Sequence, residues 1–153
     1  MKKIKLRGKR GGYALIDDED FEKVKILKWY HASIGYPRVY FKGKDVSLHR
    51  FIMNFPKGLE IDHINQDKLD NRKANLRICS RVENQRNTKK RASQCSSRYK
   101  GVSWHKGANK WMLQIVKGGI YFYGSLLKNE IEAAKKYDEM AKELFGKYAS
   151  ANF

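Results

Sequence analysis

The spacing of apolar positions changes several times along the chain, and each change marks an element. "YALID" at 13–17 alternates as a strand does. Asp17-Asp18-Glu19-Asp20 then supplies a cap and first-turn acids for a short helix through Val24 and Leu27. "YPRVYF" (36–41) and "DVSLHR" (45–50) flank Lys42-Gly43-Lys44, a hairpin signal, and "LHRFIMNF" turns helical before Pro56 stops it. "GLEIDHI" (58–64) and "NLRICS" (75–80) read as two strands joined by a polar loop through Ala74. From Arg81 the chain reads as a helix carrying Glu83, Asn84 and Asn87.

The C-terminal part is more regular. "YKGVSWH" (99–105), "KWMLQIV" (110–116) and "IYFYGS" (120–125) are three strand-like runs, separated by turns at Lys106-Gly107-Ala108-Asn109 and Lys117-Gly118-Gly119. A helix follows, capped by Asn129, with Glu132 completing a capping-box pattern. Ile131, Ala134, Tyr137, Ala141, Leu144 and Phe145 form its apolar stripe, and Gly146 ends it. Between the halves, "QRNTKKRASQCSS" (85–97) is polar and basic and reads as a linker entered from a helix. The expected architecture is α+β in two domains. Residues 1–88 form the first, 89–97 a basic linker, and 98–153 a three-stranded antiparallel sheet packed on one helix.

Charge is the most informative bulk property. With 33 Lys and Arg against 16 Asp and Glu the chain carries +17, a self-repulsion that a polyanionic partner relieves. Double-stranded DNA is the expected partner, since no RNA-recognition or K-homology signature is visible. No apolar run approaches the roughly 20 residues of a spanning helix, and the basic start lacks an apolar signal-peptide core. A cytoplasmic, membrane-free protein is expected. Cys79 and Cys95 stand apart with no Cys-x-x-Cys pair, so no structural zinc is expected. Within residues 98–128 Arg98, Lys100, Lys106, Lys110, Lys117 and Lys128 meet no acid; all five acids of this half lie in its helix. The sheet face turned away from the helix is therefore basic and polar, either an ordinary solvated face or one that enters a DNA groove.

The candidate chemistry lies in "LEIDHINQDKLDNRKANLRICSRVENQRN" (59–87). Asp62 and His63 are adjacent on a strand and so face opposite ways. Hydrolysis of a phosphodiester needs a hard divalent ion on oxygen ligands and a base of near-neutral pKa. Asp62 and the amide oxygen of Asn84 suit Mg²⁺, with Mn²⁺ as the alternative, and His63 suits the base. Asn75 can tie down the histidine's loop through side-chain to backbone hydrogen bonds. The competing reading of a His beside an Asp is a hydrogen-bonded structural residue, and of an Asn-rich loop, a set of turns. His49 reads first as a packing residue and second as a neighbour of the site. His31 and His105 have no metal-like spacing.

In order, "LHRFIM", "EIDHINQDKLDNRKANLRICS" and "ENQRN" resemble the HNH nucleases, especially the phage and intron-encoded homing endonucleases, over residues 13–88. The resemblance implies His63 as general base, Asp62 and Asn84 as metal ligands and Asn75 as the central asparagine, with Asn71 its rival. It also implies that Arg77 clamps a phosphate. Cleavage would leave a 5′-phosphate and a 3′-hydroxyl. Residues 98–153 resemble the plant ethylene-response-factor (APETALA-two) DNA-binding domain in the versions carried by phage and bacterial endonucleases. The marks are Lys-Gly-Val at the start, the Trp111 strand, Tyr-Gly-Ser, Ala-Ala-x-x-Tyr-Asp and the closing Asn-Phe. By position this implies DNA contacts from Lys100, Ser103, His105, Lys110 and Gln114. Ser103 and Val116 stand where plant domains carry arginine, so the plant target sequence does not transfer. Trp104 and Trp111 read as sugar-stacking or as core. Lys89, Lys90 and Arg91 are expected to follow the DNA backbone. The joint expectation is a metal-dependent, homing-type DNA endonuclease that nicks as a monomer, with a dimer needed for a double-strand cut. The alternative is a DNA-binding regulator with a decayed nuclease centre.

Overall fold

Small antiparallel sheets alternate with short helices, so the fold is α+β. The computed structural model describes residues 1–88 and 95–153, in two units, Met1–Asn84 and Gln85–Phe153.

In the first unit, β1 (Lys2–Lys5) pairs antiparallel with β2 (Tyr13–Ile16), setting Ile4 opposite Ala14. Ile4 and Leu6 are both buried, which is why a segment with six basic residues in its first ten still forms a strand. A turn at Asp18–Asp20 leads into α1 (Phe21–Lys25). Then β3 (Tyr30–His31), β4 (Pro37–Phe41) and β5 (Lys44–Ser47) make a three-stranded sheet in that order. The chain runs on through α2 (Leu48–Ile52), β6 (Glu60–His63), β7 (Leu76–Cys79) and α3 (Arg81–Arg86). The core gathers Ile16, Val24, Leu48, Ile52, Ile61 and Leu76 around Trp29, which is fully buried and donates Nε1–H to the Val24 carbonyl at 2.9 Å. Truncating a residue so placed costs about 3–5 kcal/mol.

In the second unit, β8 (Val102–His105), β9 (Lys110–Lys117) and β10 (Ile120–Tyr123) are antiparallel with β9 central. Val102, Leu113 and Ile115 pack on Ala133, Ala134, Tyr137 and Ala141 of α4 (Glu130–Phe145). Asn129 caps α4, its side chain accepting from the Ile131 and Glu132 amides. Ile131, expected in the apolar stripe, is instead exposed. That capped first turn places Ala133 and Ala134 on the sheet, leaving Ile131 at the stripe's border.

Two glycines are required by this contact. Gly101 has φ +71°, and a Cβ there would lie 1.9 Å from the Tyr137 ring. A Cβ on Gly124 would lie 2.3 Å from Leu113. Asp138, buried on α4, accepts from the backbone amides of Asn152 and Phe153 and from the Asn152 side chain. Asn152 Oδ1 in turn accepts from the Lys100 amide. The Lys-Gly-Val, Tyr-Gly-Ser, Tyr-Asp and Asn-Phe motifs are therefore the joints of this unit. Ser96 and Ser97, expected in the linker, also belong to it: Ser96 Oγ accepts from the Trp104 amide, and buried Ser97 donates to Glu130. Among the described residues, no helix is long and apolar enough to cross a membrane.

Candidate active site and sheet interface

The site is built on the β6–β7 pair. Its register sets Asp62 opposite Arg77, Glu60 opposite Cys79 and His63 opposite Leu76. Alternation puts Glu60 and Asp62 on one face and His63 on the other. On the first face, Arg77 donates to Asp62 Oδ2 from Nε at 2.8 Å and from Nη2 at 2.5 Å. Both side chains are largely buried, at 13% and 8% exposure. Arg77, expected on a phosphate, is therefore held by the carboxylate across the pair, as cross-strand neighbours of opposite charge are. On the second face, the His63 ring meets His49 edge-on, centroids 5.1 Å apart, and lies 5.9 Å from Tyr36. Its Nε2 is 3.3 Å from Asn71 Oδ1.

Asn71, not Asn75, is thus the amide that meets the histidine. Asn71 is fully buried, and its Nδ2 donates to the Lys68 carbonyl, which turns Oδ1 toward the ring. An amide oxygen accepts only, so His63 carries its proton on Nε2 and its basic lone pair on Nδ1. Asn75 secures the loop. Its Oδ1 accepts from the Asn65 amide, and its Nδ2 donates to Asn65 Oδ1 and the Asp70 carbonyl. Asp70 is gripped by Arg72 from Nε at 2.7 Å and Nη2 at 2.6 Å. The loop is further fixed to β2, where Leu15 donates to the Leu69 carbonyl and accepts from the Asn71 amide.

A capping box starts α3. Ser80 Oγ accepts from the Glu83 amide, while Glu83 Oε2 accepts from the Ser80 amide and hydroxyl. This sets Asn84 one turn in, with Nδ2 donating to Glu60 Oε2 at 2.5 Å. With the nitrogen so engaged, the amide leaves Oδ1 as an acceptor. Asp62, Asn84 and the adjoining Glu60 are all oxygen donors, the set a hard divalent cation takes, and a cationic group already sits on Asp62. The donor set therefore fits such an ion. Among the described residues no three His, Cys, Asp or Glu converge as a metal cage. An ion here would keep waters or substrate oxygens, as Mg²⁺ does.

Burial pushes the His63 pKa below its ordinary value, opposed by the Asn71 hydrogen bond and by Asp62, Asp67 and Asp70. The ring is neutral at pH 7. His49 is pushed down to about 3 by burial and then by His63, Arg50 and Arg38. Its Nε2 lies 3.2 Å from Ser47 Oγ, and its buried Nδ1 has no hydrogen-bond partner among the described residues. His49 thus both packs and adjoins the site. Burial, then Asp62 and Glu60, raises the Tyr36 phenol, and burial takes the Cys79 thiol up to about 11, leaving it unreactive. Glu60 and Tyr36 were not expected, and Asn71 was expected only as the rival of Asn75. The spacing of Glu60 two residues before Asp62 was the available signal for the first.

In the second unit the register pairs Ser103 with Met112, His105 with Lys110, Gln114 with Tyr123 and Val116 with Tyr121. All eight share the face turned from α4. Ser103, His105, Lys110 and Gln114 therefore lie together, beside an exposed Tyr121–Tyr123 stack with ring centroids 6.1 Å apart. Lys100 lies elsewhere. Its half-buried ammonium donates to the Arg86 and Thr88 carbonyls, and burial lowers its pKa. In this structure the ammonium expected on DNA is thus engaged by main-chain carbonyls. Trp104 and Trp111 pack against each other on the helix side, centroids 5.0 Å apart. Lys89, Lys90 and Arg91 lie outside the described residues.

A family model described as HNH endonuclease matches residues 54–86, the stretch that carries β6, its loop, β7 and α3. An uncharacterized HNH endonuclease of Acanthamoeba polyphaga mimivirus is 36% identical over 152 residues, covering 95% of this chain and 77% of the viral protein. Similarity of that extent, joined to a family match on the strands and helix that bear Asp62, His63 and Asn84, establishes that the chain belongs to the HNH endonuclease family.

Proposed function

We propose that the protein is a metal-dependent DNA endonuclease in which His63 is the general base and Asp62 and Asn84 hold the divalent ion. One observation carries this reading: β6 turns a buried neutral imidazole to one side and a set of oxygen donors to the other. His63 Nδ1 takes the proton of the attacking water, and Asn71 keeps Nε2 protonated so that Nδ1 is the basic nitrogen. Asn75 and Asp70 fix the loop that places Asn71. When bound at Asp62 and Asn84, a hard cation such as Mg²⁺ or Mn²⁺ neutralises charge on the phosphate and the leaving oxygen.

The second unit serves as a DNA-binding sheet of the ethylene-response-factor type. Support comes from its three antiparallel strands on one helix and from Ser103, His105, Lys110 and Gln114 sharing the outer face. Tyr121 and Tyr123 extend that face with aromatic surface. One nuclease centre per chain cuts one strand, so a monomer nicks, and the added sheet gives the site preference of a homing-type enzyme. The test is supercoiled plasmid incubated with the pure protein, with and without Mg²⁺. Relaxed circles that need metal and disappear in His63→Ala are the expected result. Metal-independent relaxation, or relaxation that survives His63→Ala, refutes the reading.

A further inference from the structure

Resting on that reading, we propose that Arg77 is an exchangeable counter-cation of Asp62. It occupies the cation's seat in the free protein and leaves it for a DNA phosphate when the divalent ion is taken up. Nε and Nη2 of Arg77 both donate to the single oxygen Oδ2 of Asp62, at 2.8 and 2.5 Å. Asp62 is largely buried, and the Arg77 guanidinium is its counter-charge there. A second cation cannot share that oxygen at these distances without strong repulsion. Nearby, Asn84 presents its amide oxygen because Glu60 holds its nitrogen. Glu60 shares the face of Asp62, so the Asn84 amide and the Asp62 carboxylate lie on one side of the strand pair, with Arg77 on the carboxylate.

The exchange needs only a rotation of a long side chain, because Arg77 and Asp62 are paired residues on the same face of β6–β7. A guanidinium released there is well suited to a phosphate, which it can grip through two N–H groups. The coupling is a competition, so removing either competitor strengthens the other. An ion pair that merely braced the fold would behave differently: without Arg77 the protein would be less stable, and its divalent-ion affinity would be unchanged or lower.

The experiment titrates Mn²⁺ into the DNA-free full-length protein and follows free ion by electron paramagnetic resonance. Arg77→Met should bind Mn²⁺ about tenfold more tightly than the parent, and Arg77→Lys should fall between them. The gain should vanish in Arg77→Met combined with Asp62→Asn. Arg81→Met removes the same charge from the exposed start of α3 and should change little. Plasmid nicking by Arg77→Met should fall despite its tighter ion. Should Arg77→Met unfold without metal, Arg77→Lys carries the comparison. Unchanged Mn²⁺ affinity in both Arg77 variants overturns the inference, as does an equal gain in Arg81→Met. A parent protein that fails to nick DNA with any divalent ion refutes the nuclease reading instead, so the two failures are distinguishable.

Discussion

Asn71 Oδ1 lies 3.3 Å from His63 Nε2, and the same asparagine is bonded through its backbone amide to Leu15 of β2. The orientation of the imidazole is thus anchored in a different sheet from the one that bears it. Asn71→Ala should lower kcat by about 10- to 100-fold with little change in KM, because it frees the ring's tautomer without touching DNA. Asn75→Ala should show up mainly as a lower melting temperature, since its amide closes the loop. Steady-state nicking beside thermal unfolding separates the two. A larger kcat loss in Asn75→Ala would reverse the assignment.

Glu60 holds the Asn84 amide by its nitrogen. In Glu60→Ala the amide can turn and present nitrogen to the cation. The Mg²⁺ concentration for half-maximal nicking should rise by about tenfold, in the range that outer partners of metal ligands govern. The rate at saturating Mg²⁺ should recover most of its value. A metal titration that overlays the parent's would deny Glu60 this part.

His49 makes stability depend on pH, with a definite sign. Its folded pKa, about 3, lies below the unfolded value of 6.5, so only the unfolded chain takes up the proton between them. Stability from this group is full above pH 6.5 and falls by roughly 1.4 kcal/mol per pH unit toward pH 3. His63, lowered in the same direction, adds to the slope. Denaturant unfolding at several pH values should give a flatter pH 4–6 limb in His49→Gln. An identical limb would mean that other groups set it.

Gly101→Ala should cost the C-terminal unit several kcal/mol, because a Cβ at φ +71° meets both strain and the Tyr137 ring. Proteolysis should then open residues 95–153 before the rest. Conservation of the parent's cleavage pattern would show that the ring can move aside.

The outer sheet face offers charge and aromatic surface separately. Lys110→Ala should reduce the slope of log affinity against log salt by about one. Tyr121→Ala with Tyr123→Ala should weaken duplex binding at every salt concentration while leaving the slope intact. Fluorescence anisotropy at four salt concentrations reads both. Unaltered affinity in the tyrosine double variant would remove the stack from the interface.

The spacing of the apolar positions was enough to place β6, β7, β8, β9, β10 and α4, because strand alternation and a helical stripe are both recorded by near neighbours in the chain. The charge balance pointed to a polyanion, and adjacency on a strand put Asp62 and His63 on opposite faces. What no local pattern held was the pairing of side chains distant in sequence. Asn71 and Asn75 are the same residue type four positions apart, and only the docking of their loop on β2 decides which one meets the imidazole. Arg77 and Lys100 carry mobile charges on long stems, and their partners, Asp62 and the Arg86 and Thr88 carbonyls, are selected by the fold. Strand periodicity is a property of neighbours along the chain, whereas a hydrogen bond's partner is a property of the packed unit.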